Sequence, residues 1–138
     1  MIQLIIGEKG KGKTKVLLEK ANNEVLGASG NFVYLDKSTK HMFELNNKVR
    51  LIDVSYYDLT DSDEFIGFLC GIISQDNDLE KMYFDNFLAL AHCEDNFEDV
   101  LDRIEKISNK FKVDFVISMS KVEADFSDSW KNCIVVSL

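Results

Sequence analysis

The sequence predicts an α/β protein, a three-layer sandwich in which a mostly parallel sheet of five to six strands lies between helices. Three observations predict it. Apolar runs of strand length alternate with stretches of helical period along nearly the whole chain. The first of these runs passes through a glycine-rich turn straight into a helix. Proline is absent and glycine occurs only seven times in 138 residues, so no linker-like segment divides the chain. One domain over residues 1–138 is expected, at a length that buries a proper core.

The elements follow in order. Ile2 to Ile6 reads as a buried strand, and Lys13 to Val25 as a helix with Leu17, Leu18, Ala21 and Val25 on one stripe and Gly27 as its stop. Asn31 to Leu35 is a second strand ending at Asp36. Residues 37–47 are polar and irregular, with a short helix expected around His41 to Leu45, and Val49 to Val54 is a third strand. Thr60 and Asp63 stand at capping-box spacing before the helical series Phe65, Phe68, Leu69, Ile72, Ile73. Met82 to Phe84 is a fourth strand closed by Asp85. Glu94 to Phe111 is the clearest helix, with Phe97, Val100, Leu101, Ile104, Ile107 and Phe111 on one face. Val113 to Ser118 is a fifth strand, and a weak helical piece around Val122 to Trp130 leads to a last strand, Cys133 to Ser137.

The turn after the first strand carries the chemistry. Gly7-Glu8-Lys9-Gly10-Lys11-Gly12-Lys13-Thr14 fits G-x-x-x-x-G-K-[ST] at every fixed position, between a strand and a helix as that pattern requires. Glycines at 7, 10 and 12 allow backbone angles that a side chain would forbid, so successive N–H groups can turn inward around a phosphate. The helix start adds unpaired donors and the positive end of its dipole. Lys13 is placed for the β- and γ-phosphates and the Thr14 hydroxyl for Mg²⁺; Lys9, Lys11 and Lys15 add positive charge around the loop. These residues resemble the P-loop NTPase superfamily, and the form G-x-x-G-x-G-K-T looks most like its ATPases of the RecA, AAA and ABC kind. A short α/β chain with this loop is also similar to small bacterial proteins labelled as relatives of pilus-retraction ATPases, although nothing outside the loop speaks for a motor.

Ligands of such sheets bind beyond the carboxyl ends of the strands, which directs attention to Asp36, Asp85, Ser118 and Ser120. Lys81-Met82-Tyr83-Phe84-Asp85 resembles a Walker B segment, whose aspartate holds Mg²⁺ opposite Thr14; Asp53 and Asp36 compete for that role. The resemblance implies a glutamate after this aspartate to polarise water, but the position is Asn86, which cannot accept a proton. By the RecA-like pattern Asp36 is the alternative base, and by the AAA pattern Ser118 contacts the γ-phosphate. A GTPase is expected to carry N-K-x-D and D-x-x-G, whereas Asn109-Lys110-Phe111-Lys112 and Asp85-Asn86-Phe87-Leu88 fail both. A nucleoside monophosphate kinase is expected to show a proline in the loop and several arginines; here only Arg50 and Arg103 occur.

Composition bounds the rest. Residues 1–50 carry nine Lys/Arg against five Asp/Glu, and residues 51–138 carry seven against nineteen, so the net −8 divides into +4 and −12. The positive part holds the loop and suits a polyanionic ligand. The acidic part argues against nucleic acid as a main partner. No apolar run reaches the ~18 residues of a membrane helix, and the first strand begins at Ile2, leaving no stretch that reads as a leader. Cys70, Cys93 and Cys133 show no metal or disulfide spacing and read as reduced thiols of a cytoplasmic protein. His41 and His92 have no Cys, Asp or Ser partner at catalytic spacing. The sequence therefore predicts a Mg–ATP-binding protein with weak ATPase activity or, alternatively, a binding module or sensor that does not hydrolyse; a protein partner or homo-oligomer is left open, and a small-molecule kinase would need a second pocket.

Overall fold

The computed structural model describes residues 1–138. Six strands, β1 (Ile2–Ile6), β2 (Asn31–Asp36), β3 (Val49–Asp53), β4 (Leu79–Phe84), β5 (Asp114–Met119) and β6 (Ile134–Ser137), form one sheet in the order β3-β2-β4-β5-β1-β6. Every pairing is parallel. The expected mostly parallel sheet is thus wholly parallel.

Because side chains alternate along a strand, each strand feeds two cores. Leu4, Ile6, Val33, Leu35, Met82, Phe84, Phe115 and Ile117 pack with Phe65, Leu69 and Ile73 of α2 (Ser62–Ser74), with Phe87 and Leu90 of the short α3 (Phe87–Leu90) and with Leu101 and Ile104 of α4 (Phe97–Phe111). Trp130 of the one-turn α5 (Asp128–Lys131) closes the same core. The opposite face sends Ile5, Phe32, Tyr34, Tyr83 and Val116 against a single helix, α1 (Lys13–Glu24), through Leu17, Leu18 and Ala21. Removing a fully buried leucine such as Leu17 would cost about 2–5 kcal/mol.

One helix is too narrow to cover that face, and the irregular segment 37–48 completes it. Leu45 inserts beside α1, and Asn22 holds the segment by donating to the Glu44 carbonyl (2.8 Å) and accepting from the Asn46 N–H (2.7 Å). The short helix expected around His41 to Leu45 is a series of turns instead.

Several element bounds differ from expectation for local reasons. The cap of α2 lies one residue later: Asp61 accepts from the Glu64 N–H (2.8 Å), and Glu64 reaches back to the Thr60 N–H (2.6 Å). Helix α4 begins at Phe97 rather than Glu94, because residues 93–96 close a turn through the Asn96 N–H on the Cys93 carbonyl. Strand β4 begins at Leu79, three residues before its apolar run, where Asn31 pairs with it beside Gly30. The piece expected from Val122 to Trp130 divides into a 3₁₀ turn, Glu123–Asp125, and α5. Helix α3 was not expected at all. No helix is long and apolar enough to cross a membrane.

Candidate functional site

The connection leaving β1 runs across the α1 face, while those leaving β4 and β5 run across the other. Loops that part in this way leave a crevice at the carboxyl ends of the strands between them. It is filled here by the loop 7–12, the start of α1, the end of β4 and the end of β5.

Three glycines give the loop its path. Gly7, Gly10 and Gly12 have φ of 152°, 85° and 95°. A Cβ at Gly7 would also come within 3.0 Å of Leu138, so space and conformation both demand glycine there. At Gly10 and Gly12 the surroundings are open and only the backbone angle demands it. Gly12 precedes the first residue of α1 and offers no capping side chain, and the first turn of α1 carries no acidic residue. By contrast, α2 has an aspartate cap with Asp63 and Glu64 in its first turn, and α4 has Glu98 and Asp99. The N-terminus of α1 is left uncapped, with no carboxylate of its own against the positive end of its dipole.

The crevice contains a cavity of about 230 Å³ lined by Lys9, Gly10, Gly12, Lys13, Thr14, Asp85, Asn86, Ser118 and Ser120, with no apolar side chain among them. Whole small-molecule pockets run to about 300–1,000 Å³ and are mostly apolar; this one has the size and polarity for phosphate groups. Lys13 Nζ donates to the Glu8 carbonyl at 3.0 Å. Partial burial lowers its pKa, and the nearby Asp85 carboxylate opposes that shift.

At the centre stands Asp85, 6% exposed. Its Oδ1 accepts from the Thr14 hydroxyl at 3.1 Å, and its Oδ2 accepts from the Tyr34 hydroxyl at 3.0 Å. The Ser118 hydroxyl lies 3.3 Å from both Asp85 Oδ1 and the Phe84 carbonyl and accepts from the Asn86 N–H at 3.0 Å. Ser118 is buried, and these bonds brace the turn after β4. Asn86 sits in the left-handed region (φ 60°, ψ 62°), where asparagine is among the better tolerated side chains.

The residues that sequence singled out separate into groups. Lys9, Gly10, Gly12, Lys13, Thr14, Asp85 and Ser118 meet at the cavity. Glu8 contributes only its carbonyl and points its side chain to solvent, as does Lys11. Lys15 lines a neighbouring cavity of about 560 Å³, between α1 and residues 40–44, that also borders Thr14. Asp36 ends β2 beside the site but outside the cavity lining, and accepts from the Lys37 N–H at 2.7 Å. Burial and the Asp85 charge raise its pKa. Asp53, the other competitor, lies on edge strand β3 and caps the turn at Ser55. Arg103 pairs with Asp63 at 2.6 Å, and Arg50 is exposed on β3; neither lines the cavity.

Tyr34 was missed. A strand buried on both faces with a tyrosine in it signals a buried hydroxyl in need of a partner, but not which partner. Burial and Asp85 push its phenol pKa far up, so it remains a hydrogen-bond donor. His41 gained a partner that spacing did not suggest: its Nδ1 lies 2.5 Å from Glu44 Oε2, on the wall of the neighbouring cavity. The three cysteines are free, and burial pushes the Cys93 thiol up to about 12, which leaves it unreactive.

No protein-family model matches the sequence, and no curated protein matches it significantly.

The pair Thr14–Asp85 also fits a divalent ion. Two adjacent oxygens of an octahedral Mg²⁺ at 2.0–2.1 Å lie about 3 Å apart, close to the 3.1 Å between the hydroxyl and carboxylate oxygens. No group of three or more His, Cys, Asp or Glu side chains converges anywhere. A site of one carboxylate and one hydroxyl suits Mg²⁺ shared with phosphates and water better than an all-protein cage.

Proposed function

We propose that this chain is a small ATP-binding protein of the P-loop NTPase type that holds Mg–ATP at the loop 7–14. The observation that carries the reading is the pairing of Thr14 with Asp85. They are 71 residues apart in sequence, yet their oxygens meet at 3.1 Å in the lining of a cavity that has no apolar side chain and that the glycine loop also lines. A lysine-rich surface turn would have no reason to close on a buried carboxylate.

Each part has a task. The backbone of residues 9–13 and the uncapped end of α1 surround the β- and γ-phosphates. Lys13 exchanges the Glu8 carbonyl for a phosphate oxygen and neutralises its charge. Thr14 and Asp85 would hold Mg²⁺, which when bound supplies positive charge for the phosphoryl oxygens. Tyr34 and Ser118 fix the Asp85 carboxylate by hydrogen bonds at 3.0 and 3.3 Å. A water attacking the γ-phosphate would find no glutamate or histidine on this cavity, since Asn86 stands after Asp85 and Asp36 lies outside the lining.

That last observation favours a second reading, a nucleotide-dependent sensor in which ATP occupancy rather than turnover is the signal. Phosphate release from Mg–ATP separates the two. Sustained turnover lost in Lys13→Ala supports the ATPase; tight binding with no turnover above that variant supports the sensor.

A further inference from the structure

We infer that Tyr34 is an ion-size selector: by occupying Oδ2 of Asp85 it makes the site discriminate for Mg²⁺ against Ca²⁺. The inference rests on the Mg–ATP reading above and adds a residue to it.

The two oxygens of Asp85 have different surroundings. Oδ1 accepts from the hydroxyl of Thr14, which lines the cavity, in a bond only partly buried, and lies within reach of the Ser118 hydroxyl. Oδ2 faces inward and takes the Tyr34 hydroxyl at 3.0 Å, in a bond buried from solvent. Tyr34 is itself fully buried in β2, with Phe32, Tyr83 and Leu17 in the same core, and its ring stacks on Tyr83 with centroids 6.3 Å apart. It has no room to swing away, so Oδ2 stays engaged and the carboxylate offers one oxygen.

Mg²⁺ takes six ligands at 2.0–2.1 Å, with single oxygens from carboxylates. Ca²⁺ takes six to eight at 2.3–2.6 Å and is commonly served by both oxygens of one carboxylate. A carboxylate held by one oxygen satisfies the smaller ion and denies the larger its extra ligand. Partners of this kind behind a metal ligand typically change metal affinity 10–100-fold.

Tyr34→Phe tests this with little change of shape, since the ring and its stack remain. ATP affinity is measured by calorimetry with Mg²⁺, with Ca²⁺ and with EDTA, in the wild type and the variant. The expected result is a Mg²⁺:Ca²⁺ affinity ratio at least about tenfold lower in the variant. A circular dichroism melt checks that the variant folds, and Tyr34→Leu, which also lacks the hydroxyl, should shift the ratio in the same direction. An unchanged ratio, or equal losses with both ions, overturns the inference and leaves the Mg–ATP reading standing. Failure of the wild type to bind ATP with either ion overturns both.

Discussion

Tyr34 and Tyr83, side by side on β2 and β4, stack with ring centroids 6.3 Å apart, and each bonds through its hydroxyl to a carboxylate at a different end of α1. Tyr34 reaches Asp85, which holds Thr14 in the first turn. Tyr83 reaches Glu24, the last residue of the helix, which also pairs with Lys81 at 3.1 Å and Lys20 at 3.0 Å. The helix that presents the phosphate loop is thus tied to the sheet at both ends, on the face with the smaller core.

The far tie concerns stability and not the ligand. Glu24→Ala leaves the Tyr83 hydroxyl and the mostly buried Lys81 without their partner, which should lower unfolding free energy by about 1–3 kcal/mol in urea titration. ATP affinity should be unchanged. Burial tends to raise the Glu24 pKa, but the Tyr83, Lys20 and Lys81 contacts outweigh it and hold the carboxyl below its ordinary value. A carboxyl depressed in the folded state contributes stability that is present above its unfolded value and lost as pH falls through the folded one. The wild type's advantage over Glu24→Ala should therefore shrink as pH falls below the ordinary glutamate value, about 4.3.

Asp36 should behave in the opposite sense. Burial and Asp85 raise its folded pKa, so the folded state takes up a proton more readily and Asp36 weakens stability as pH rises above the ordinary aspartate value, about 3.9. Asp36→Asn should stabilise the protein modestly at neutral pH and gain nothing in acid, as urea titrations at the two pH values would record. The variant also tests Asp36 as a base. Any phosphate release by the wild type should survive in Asp36→Asn, because the side chain lies outside the cavity lining; its loss would make Asp36 the base.

Gly30 is a constraint that sequence did not single out. A Cβ there would lie 2.6 Å from the Asp78 carbonyl and 2.9 Å from Glu80 Cβ, where the chain enters β2 beside β4. Gly30→Ala should lower stability by about 1–3 kcal/mol through forced separation of the two strands, read as a lower denaturant midpoint. Ligand affinity at the far end of the sheet should not change. An unaltered midpoint would mean that the strand ends yield easily.

The fold class was legible because two signals agree: near-continuous apolar runs of strand length, as strands buried on both faces require, and the 3.6-residue stripe of α4. Bounds failed where tertiary pairing decides them. Leu79 to Lys81 has no strand-like composition, yet joins β4 because Asn31 supplies a partner edge. Residues 41–45 have a helical look, yet remain turns, because Asn22 and the burial of Leu45 fix them against α1. At the site, the loop was legible through its glycine spacing, and Asp85 through its place after an apolar strand. Tyr34 and the bracing bonds of Ser118 acquire their roles only when distant segments meet, which no spacing records.

The central claim, that the loop 7–14 and Asp85 together hold a metal–nucleoside triphosphate, is tested most directly by calorimetric titration of the whole chain with ATP in Mg²⁺ and in EDTA. The wild type should bind ATP with Mg²⁺ and bind it more weakly in EDTA, Asp85→Asn should lose that dependence on metal, and Lys13→Ala should bind weakly under both conditions. No binding of ATP, GTP or ADP at millimolar concentration, or binding indifferent to both substitutions, would contradict it.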